Sequence, residues 1–347
     1  MNTRHFRRVL RKSWKKGRKR MRRRVKAVEH FAVFLLASLV NRLVACLSPR
    51  MARRLGAALG KLGFALARGE RRAVLRHLEW AFGGTMSEDE RLEMARRVFI
   101  NAGITAAEWP FLAAGRAACL QEKVTIEGEE HLREAEATGR GLLFLTAHYG
   151  NWELMTPLMT PRVKDREVGV VARDLSNPWL NEVTVRTRRG HGARVFPRGG
   201  TGRDYVRFLR EGNGLAVLGD IDTSKGGGIF VDFFGRPAWT QTGIARLAYM
   251  GRAIILPVFI KRDPEDPARH VVTIEPALSE PEGVTADEYV ALMTQAFTKA
   301  IEKAVRERPD QWTWMHRRWR RQPQPGGAAE EPARGKNEKQ SRQGVSA

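Results

Sequence analysis

Gly141-Leu142-Leu143-Phe144-Leu145-Thr146-Ala147, followed at once by His148-Tyr149-Gly150-Asn151-Trp152-Glu153, is the stretch from which the fold of this chain is read. The first seven residues form an apolar run of strand length, and the residues after Asn151 begin a helical pattern. A strand that breaks into a helix at His148 sets that side chain at the mouth of a sheet. Glu153, five residues on, can fold back and accept the second ring N–H. That contact fixes the tautomer and leaves the other ring nitrogen free to take a proton. The pattern alone is not decisive, because a lone histidine at a strand end is more often structural than catalytic. No second histidine stands near it at helical spacing and no Cys-x-x-Cys accompanies it, so the pair does not read as a metal site.

Outward from this run, strands are expected near residues 167–172, 214–219, 254–260 and 270–275, alternating with helices. The class is α/β. Upstream, residues 50–120 read as helices. Leu55, Leu59, Leu62 and Leu66 recur at helical spacing over residues 53–67, and Ser87 followed by Glu88, Asp89 and Glu90 is an N-cap with an acidic first turn. Downstream, residues 287–308 carry Leu292, Phe297, Ile301 and Val305 as one stripe expected to pack on the sheet, with Pro309 as the stop. After Arg321 the composition turns to Pro, Gly, Ala, Gln and Lys and reads as disordered, so residues 322–347 are expected to be a tail.

The chain has 347 residues, enough for one large domain, and a formal net charge of +23. Fourteen Lys and Arg residues fall between Arg4 and Lys26 with no acid among them. On a helix many of these cations share one face, and Phe6, Trp14, Met21 and Val25 take the other. Residues 1–28 therefore read either as an amphipathic segment for an anionic membrane surface or as a solvated tail. Aromatics are not interleaved with the cations as a base-stacking platform needs, so no specific nucleic-acid partner is expected. Residues 31–40 are apolar, Asn41 and Arg42 interrupt, and 43–47 resume. A clean span needs about 20 apolar residues. Residues 29–48 are thus expected to cross a membrane or to lie in its interface, with the preceding charge holding the N-terminus in the cytoplasm. Leu43-Val44-Ala45-Cys46 resembles a lipoprotein cleavage box, but Asn41-Arg42 breaks the apolar segment ahead of it. Cys46 and Cys119 stand in no metal-ligand spacing and read as free thiols in a reducing compartment. There is no G-x-S-x-G elbow, no P-loop and no G-x-G-x-x-G after a strand, and Gly226-Gly227-Gly228 reads as a flexible loop. No metal or cofactor is expected.

Further blocks follow in order. They are Val171-Ala172-Arg173 before Asn177-Pro178, Arg186 near Gly190, and Gly219-Asp220-Ile221-Asp222. Next come Gly228-Ile229-Phe230-Val231-Asp232-Phe233-Phe234-Gly235-Arg236-Pro237 and Thr242-Gly243-Ile244-Ala245-Arg246. Ile255-Leu256-Pro257-Val258-Phe259 and Gln311-Trp312-Thr313-Trp314-Met315-His316-Arg317-Arg318-Trp319 complete the set. With the run around His148, they resemble the lipid A late acyltransferases, the lauroyl/myristoyl transferase family within the H-x4-D/E glycerolipid acyltransferase group. The resemblance covers roughly residues 30 to 320.

The resemblance implies a glycerolipid-acyltransferase-like mixed sheet flanked by helices, with residues 49–321 as the acyltransferase domain and a membrane-associated helix before it. It implies transfer of a fatty acyl chain from an acyl-carrier-protein thioester, or acyl-CoA, to a hydroxyl of a lipid A precursor. The place would be the cytoplasmic face of a bacterial inner membrane. His148 would be the general base, oriented by Glu153 or by Asp222. Arg173 and Arg186 would bind phosphate, for which the permanently charged planar guanidinium is suited. Arg236 would act on the head group or brace its turn, while Arg188, Arg189 and Arg203 read as solvated. Backbone N–H groups around Gly150, Asn151 and Trp152 would meet the oxyanion. Tyr149 and Trp152 would line the acyl channel or simply pack. Trp312, Trp314 and Trp319 would be an interfacial anchor or a segment docked on the core. Gly219 and Ile221 stand where relatives more often show Pro and Gln, and the basic tract is longer than usual. The acceptor therefore stays open between a lipid A precursor and another lipid: an amino-acid lipid, a glycolipid or a lysophospholipid. The rival of a different class is a non-catalytic protein of anionic membranes, which the intact His-Glu pair argues against.

Overall fold

The computed structural model describes residues 3–172, 175–197, 202–222 and 227–323, without the side chains of 3–20, 23 and 24. The side chains of most of the basic tract, Arg173, most of the loop before Gly227, and residues 324–347 of the expected tail lie outside the described residues.

The chain opens with helices α1 (Thr3–Ala45), α2 (Pro49–Leu66), α3 (Arg68–Phe82), α4 (Glu88–Ala113) and the short α5 (Ala118–Gln121). Strands and helices then alternate: β1 (Val124–Glu127), α6 (Glu129–Ala137), β2 (Leu142–Thr146), α7 (Met155–Met159), β3 (Val168–Ala172), α8 (Pro178–Gly190), β4 (Ala193–Pro197), α9 (Gly202–Arg210) and β5 (Gly214–Leu218). A hairpin of β6 (Gly228–Phe233) and β7 (Arg236–Gln241) leads into α10 (Gly243–Gly251), β8 (Ile254–Arg262), β9 (His270–Ile274) and α11 (Ala286–Glu307). The seven-stranded sheet runs β1-β9-β8-β2-β5-β3-β4, parallel except for the β8–β9 pair, and β6–β7 forms a separate two-stranded ribbon. The fold is α/β with a mixed sheet flanked by helices.

Local chemistry explains the element ends. The Ser87 hydroxyl accepts from the Glu90 N–H while the Glu90 carboxylate accepts from the Ser87 N–H, a reciprocal cap that starts α4. Thr285 and Glu288 repeat the device at α11. In β2, Leu143 and Leu145 face a core completed by Phe297, Ile301 and Val305 of α11. Leu142 and Phe144 face a second core with Phe111, Leu112 and Leu132. Burial on both faces is why this strand reads as a continuous apolar run rather than an alternating one. One residue of the α11 stripe departs from expectation. Leu292 is exposed and Met293 takes the buried place, in step with Phe297, Ile301 and Val305.

Helices α2 and α4 meet backbone to backbone. A Cβ on Gly103 would stand 2.2 Å from the Gly56 carbonyl oxygen, and one on Gly60 would stand 2.4 Å from that of Phe99. Only glycine allows this approach. The consequence is rotational: the glycine face of α2 is turned inward, and Met51, Leu55, Leu59, Leu62 and Leu66 are exposed.

Candidate active site

Strands β2 and β5 are parallel neighbours, with Thr146 opposite Leu218. Two residues beyond each, at the same end of the sheet, stand His148 and Asp220. Asp220 Oδ1 accepts from His148 Nδ1 at 2.9 Å, and Oδ2 accepts from the His148 backbone N–H at 3.0 Å. Trp312 Nε1 donates to the same Oδ2 at 2.9 Å. The Asp220 side chain is fully buried and that of His148 is 20% exposed. Burial opposes the charge on Asp220, yet the imidazole and the three donated hydrogen bonds outweigh it and hold the carboxyl well below its usual range. Burial also opposes a charged His148, and the Asp220 carboxylate overcomes it, so the imidazole lies above the ordinary histidine value. With Nδ1–H donating to Asp220, Nε2 carries the lone pair.

The carboxylate on the ring is thus Asp220. Glu153 turns instead to Arg188, whose Nη2 donates to Glu153 Oε1 at 2.7 Å. The Asp222 carboxylate is buried beside the Arg321 guanidinium, 4.0 Å away. Together with Asp220 it supports the charge of Arg318, which burial pushes down to about 10. Asp220 is not among the residues expected from sequence, although it stands inside the Gly219-Asp220-Ile221-Asp222 block. The available signal was the register, since equal offsets past two adjacent parallel strands bring residues 148 and 220 together.

A cleft opens beside this pair. Thr146 at the end of β2 and Trp152 form its near wall, and the Trp152 ring packs on His148 at 5.1 Å between centroids. Its deeper lining is apolar, including Phe144, Met155, Met159, Val168 and Val258. Its two charged groups, Glu153 and Arg188, neutralise each other. Tyr149 does not line it. That side chain is buried against Phe259.

The turn after His148 is held from below. Gly150 has φ +57°, and a Cβ there would lie 2.0 Å from the Ile260 carbonyl oxygen. Its N–H donates to Gln311 O at 3.0 Å and is therefore already used. The Asn151 side-chain amide donates to Glu108 at 2.8 Å. Glu108 is fully buried and also accepts from Arg53 at 2.6 Å and from both Nη atoms of Arg262 at 3.0 and 2.8 Å. Burial would raise its pKa, but the two guanidiniums hold it far below the ordinary glutamate range. His270 stands 4.0 Å from the same carboxylate, yet burial and the Arg262 charge push it down to about 4, so it is a neutral neighbour.

The block around Trp312 closes the site from the other side. Thr313 donates to the His148 carbonyl through both its N–H, at 3.1 Å, and its hydroxyl, at 3.0 Å. The His316 ring packs on that of His148 at 5.0 Å, and burial followed by the His148 charge lowers its pKa. Trp312, Trp314 and Trp319 are 1%, 0% and 2% exposed. These rings are core, docked on the His148–Asp220 pair, and they present no surface to a membrane.

Among the described residues, the expected arginines are dispersed. Arg186 is 81% exposed on the outer face of α8, near Glu182. Arg236 donates to the Trp80 carbonyl and stacks on that ring, bracing the β6–β7 turn. Arg189 and Arg203 are exposed. Arg188, read from sequence as solvated, is the guanidinium in the cleft. Among the described residues, no group of three or more His, Cys, Asp or Glu side chains is placed to hold a metal ion.

A carboxylate-oriented histidine at the carboxyl ends of a sheet, beside an apolar cleft, fits an enzyme that activates a hydroxyl against a long-chain acyl donor. Residues 18–321 match the bacterial lipid A biosynthesis acyltransferase family, and the chain belongs to it. It is 28% identical over 279 residues to the lipid A biosynthesis lauroyltransferase of Escherichia coli K12, covering 78% of this chain and 86% of that one. It is 26% identical over 272 residues to the myristoyltransferase of the same strain, covering 78% and 82%. It is also 27% identical over 198 residues to the phosphatidylinositol mannoside acyltransferase of Mycobacterium tuberculosis (strain CDC 1551 / Oshkosh), covering 56% and 59%. The protein is an acyltransferase.

Proposed function

We propose that this acyltransferase moves a fatty acyl chain from an acyl-carrier-protein thioester, or acyl-CoA, to a hydroxyl of a lipid A precursor at the cytoplasmic face of the inner membrane. The observation that carries the reading is the His148–Asp220 pair at the edge of the apolar cleft. His148 Nε2 takes the proton of the acceptor hydroxyl as its oxygen attacks the thioester carbonyl carbon. The tetrahedral intermediate collapses, the C–S bond breaks, and the imidazolium returns the proton to the departing thiolate. Asp220 keeps Nδ1 protonated and supports the transient positive charge, the role an orienting carboxylate plays beside any histidine base. The acyl tail lies in the cleft, whose lining is mostly apolar, as small-molecule sites for apolar ligands are. The Glu153–Arg188 pair marks its polar rim. Excess basic charge suits an acidic carrier protein and phosphorylated lipid.

A second reading keeps the chemistry and changes the acceptor to another lipid. It is favoured by the likeness to a relative whose name specifies a mannosylated inositol lipid. Membranes containing the protein are to be given acyl-carrier-protein thioesters of several lengths with a tetra-acylated lipid A precursor or a lysophospholipid. His148→Ala is run in parallel. One added acyl mass on the lipid A precursor, lost at least a hundredfold in the variant, is the expected result. Acylation of the other acceptor alone moves the substrate. Transfer unaffected by His148→Ala sinks the general-base mechanism.

A further inference from the structure

The turn that carries His148 is clamped through its backbone and through Asn151, away from the His148 ring. Thr313 donates to the His148 carbonyl from both its N–H and its hydroxyl. The Gly150 N–H donates to the Gln311 carbonyl at 3.0 Å, and the Gly150 carbonyl accepts from Thr105 Oγ1 at 3.2 Å. Asn151 Nδ2 donates to Glu108 Oε2 at 2.8 Å. Thr105 and Glu108 stand three apart on α4 and so share a face. Arg262, the last residue of β8, ties these contacts into one closed ring. Its guanidinium donates to Thr105 at 3.2 Å and to both Glu108 oxygens. Its backbone N–H donates to Gln311 Oε1 at 2.7 Å, and its carbonyl accepts from Gln311 Nε2 at 2.6 Å.

Asn151 is the telling member of this ring. It is 1% exposed and is not among the residues that line the cleft, so its side chain is not presented to a substrate. Its Oδ1 is buried and has no hydrogen-bond partner among the described residues, which costs stability. What the amide provides is its other end, the link from Glu108 to the backbone three residues after His148. The anchor at the far end of that link is stiff. Arg53 and Arg262 grip Glu108 from α2 and from β8, and charge-assisted hydrogen bonds of this kind hold a narrow geometry.

We infer that Glu108 is a positioning residue of the reaction: acting through Asn151, it fixes the turn that aims His148, and Asn151 belongs to this device rather than to a substrate contact. The inference rests on the general-base reading of His148 and stands whichever lipid accepts the acyl chain. Misplacing a reacting group by about 1 Å can cost about 10²-fold in rate. Loosening the turn therefore lowers kcat and leaves KM alone, whereas losing a substrate contact raises KM.

The test uses the purified full chain and Asn151→Ala, which removes the link and leaves the ion pairs of Glu108 in place. Amide hydrogen exchange, which needs no substrate, is read by mass. Residues 148–154 should exchange faster in the variant by about tenfold or more, with the β5 segment 214–220 unchanged. No change at 148–154, or an equal rise in β5, overturns the inference. Acyl transfer is then followed on whichever acceptor the parent acylates, below the melting transition of every variant. Asn151→Ala should lower kcat by about 10–10²-fold with KM unchanged, and should lower the residual rate of His148→Ala no further. A raised KM at unchanged kcat returns Asn151 to the substrate, and an equal loss in both backgrounds marks a purely structural role; either overturns the inference. Added to Glu108→Gln, Asn151→Ala should lower kcat by less than it does alone, as for two residues of one device. Losses that multiply remove Glu108 from it. Transfer unaffected by His148→Ala removes the general-base reading, and this inference with it, whatever the exchange shows.

Discussion

Asp220 sits within one residue pair of Asp222, and the two differ in what the tertiary structure gives them: a histidine ring, a backbone N–H and an indole for one, a distant guanidinium for the other. Two predictions belong at this scale. Asp220→Asn keeps the shape and removes the charge that raises His148. On the proposed general-base mechanism activity requires neutral His148, so the parent should lose kcat/KM as pH falls through a pKa above the ordinary value of about 6.5. In the variant, burial acts on the imidazole without the carboxylate, and the acidic limb should move to lower pH. The maximal rate should also fall by about 10²–10⁴-fold, because the ring loses its tautomer control. A pH–rate profile of both enzymes checks this, and an unmoved limb would remove Asp220 from the mechanism. The second prediction concerns Glu108, which reads in sequence as one acid among many in a helix. Glu108→Gln leaves Arg53 and Arg262 buried beside an uncharged amide. Breaking a buried ion pair by one partner costs about 3–5 kcal/mol. Urea unfolding should show a loss of that order, and a loss below about 1 kcal/mol would contradict the ion-pair account.

Among the elements, the strands around the site were legible because their apolar runs are bounded by turn residues. Residues 141–147 and 214–219 were expected as strands, and Leu142–Thr146 and Gly214–Leu218 are strands. Their pairing was not legible in detail, since a parallel register is set by side chains and crossovers far apart in the chain. That is why the choice between Glu153 and Asp222 stayed open and Asp220 was passed over. Trp312, Trp314 and Trp319 show the same limit: an aromatic cluster beside cations is compatible with an interface or a core, and only the packing partners distinguish them. Leucines in α2 were visible as a stripe, but their outward direction follows from glycines on two helices meeting in space. Gly103→Val tests that contact. The new Cβ would press on backbone atoms of Gly56 and Gly60, which cannot yield as a side chain would. Overpacking typically costs about 1–3 kcal/mol, and a contact with backbone belongs at or above the top of that range. A variant as stable as the parent in thermal unfolding would show that α2 and α4 can separate without penalty.

For the molecule as a whole, several buried histidines set the response to acid. His77 and His316 are lowered by burial, and His270 is pushed down to about 4. A histidine lowered in the folded state has no effect above its unfolded pKa. It destabilises as pH falls through about 6.5 toward its folded value, because only the unfolded chain then takes up the proton. His148 works in the opposite sense: its raised pKa adds stability at low pH that is lost as pH rises through the folded value. Three lowered groups against one raised group predict a falling melting temperature between pH 6.5 and 4, and His270→Asn, if it folds, should flatten the slope. A melting temperature constant across that window would refute the assignment. The sequence by itself determined the α/β class, the family and the apolar helix at the N-terminus, because each is written in local composition and in blocks that keep their order. Which carboxylate meets the histidine, which arginine enters the cleft, and where the tryptophans and α2 leucines point were decided only by the tertiary structure. Those outcomes depend on register between strands some seventy residues apart and on two helices close enough to touch through their glycines.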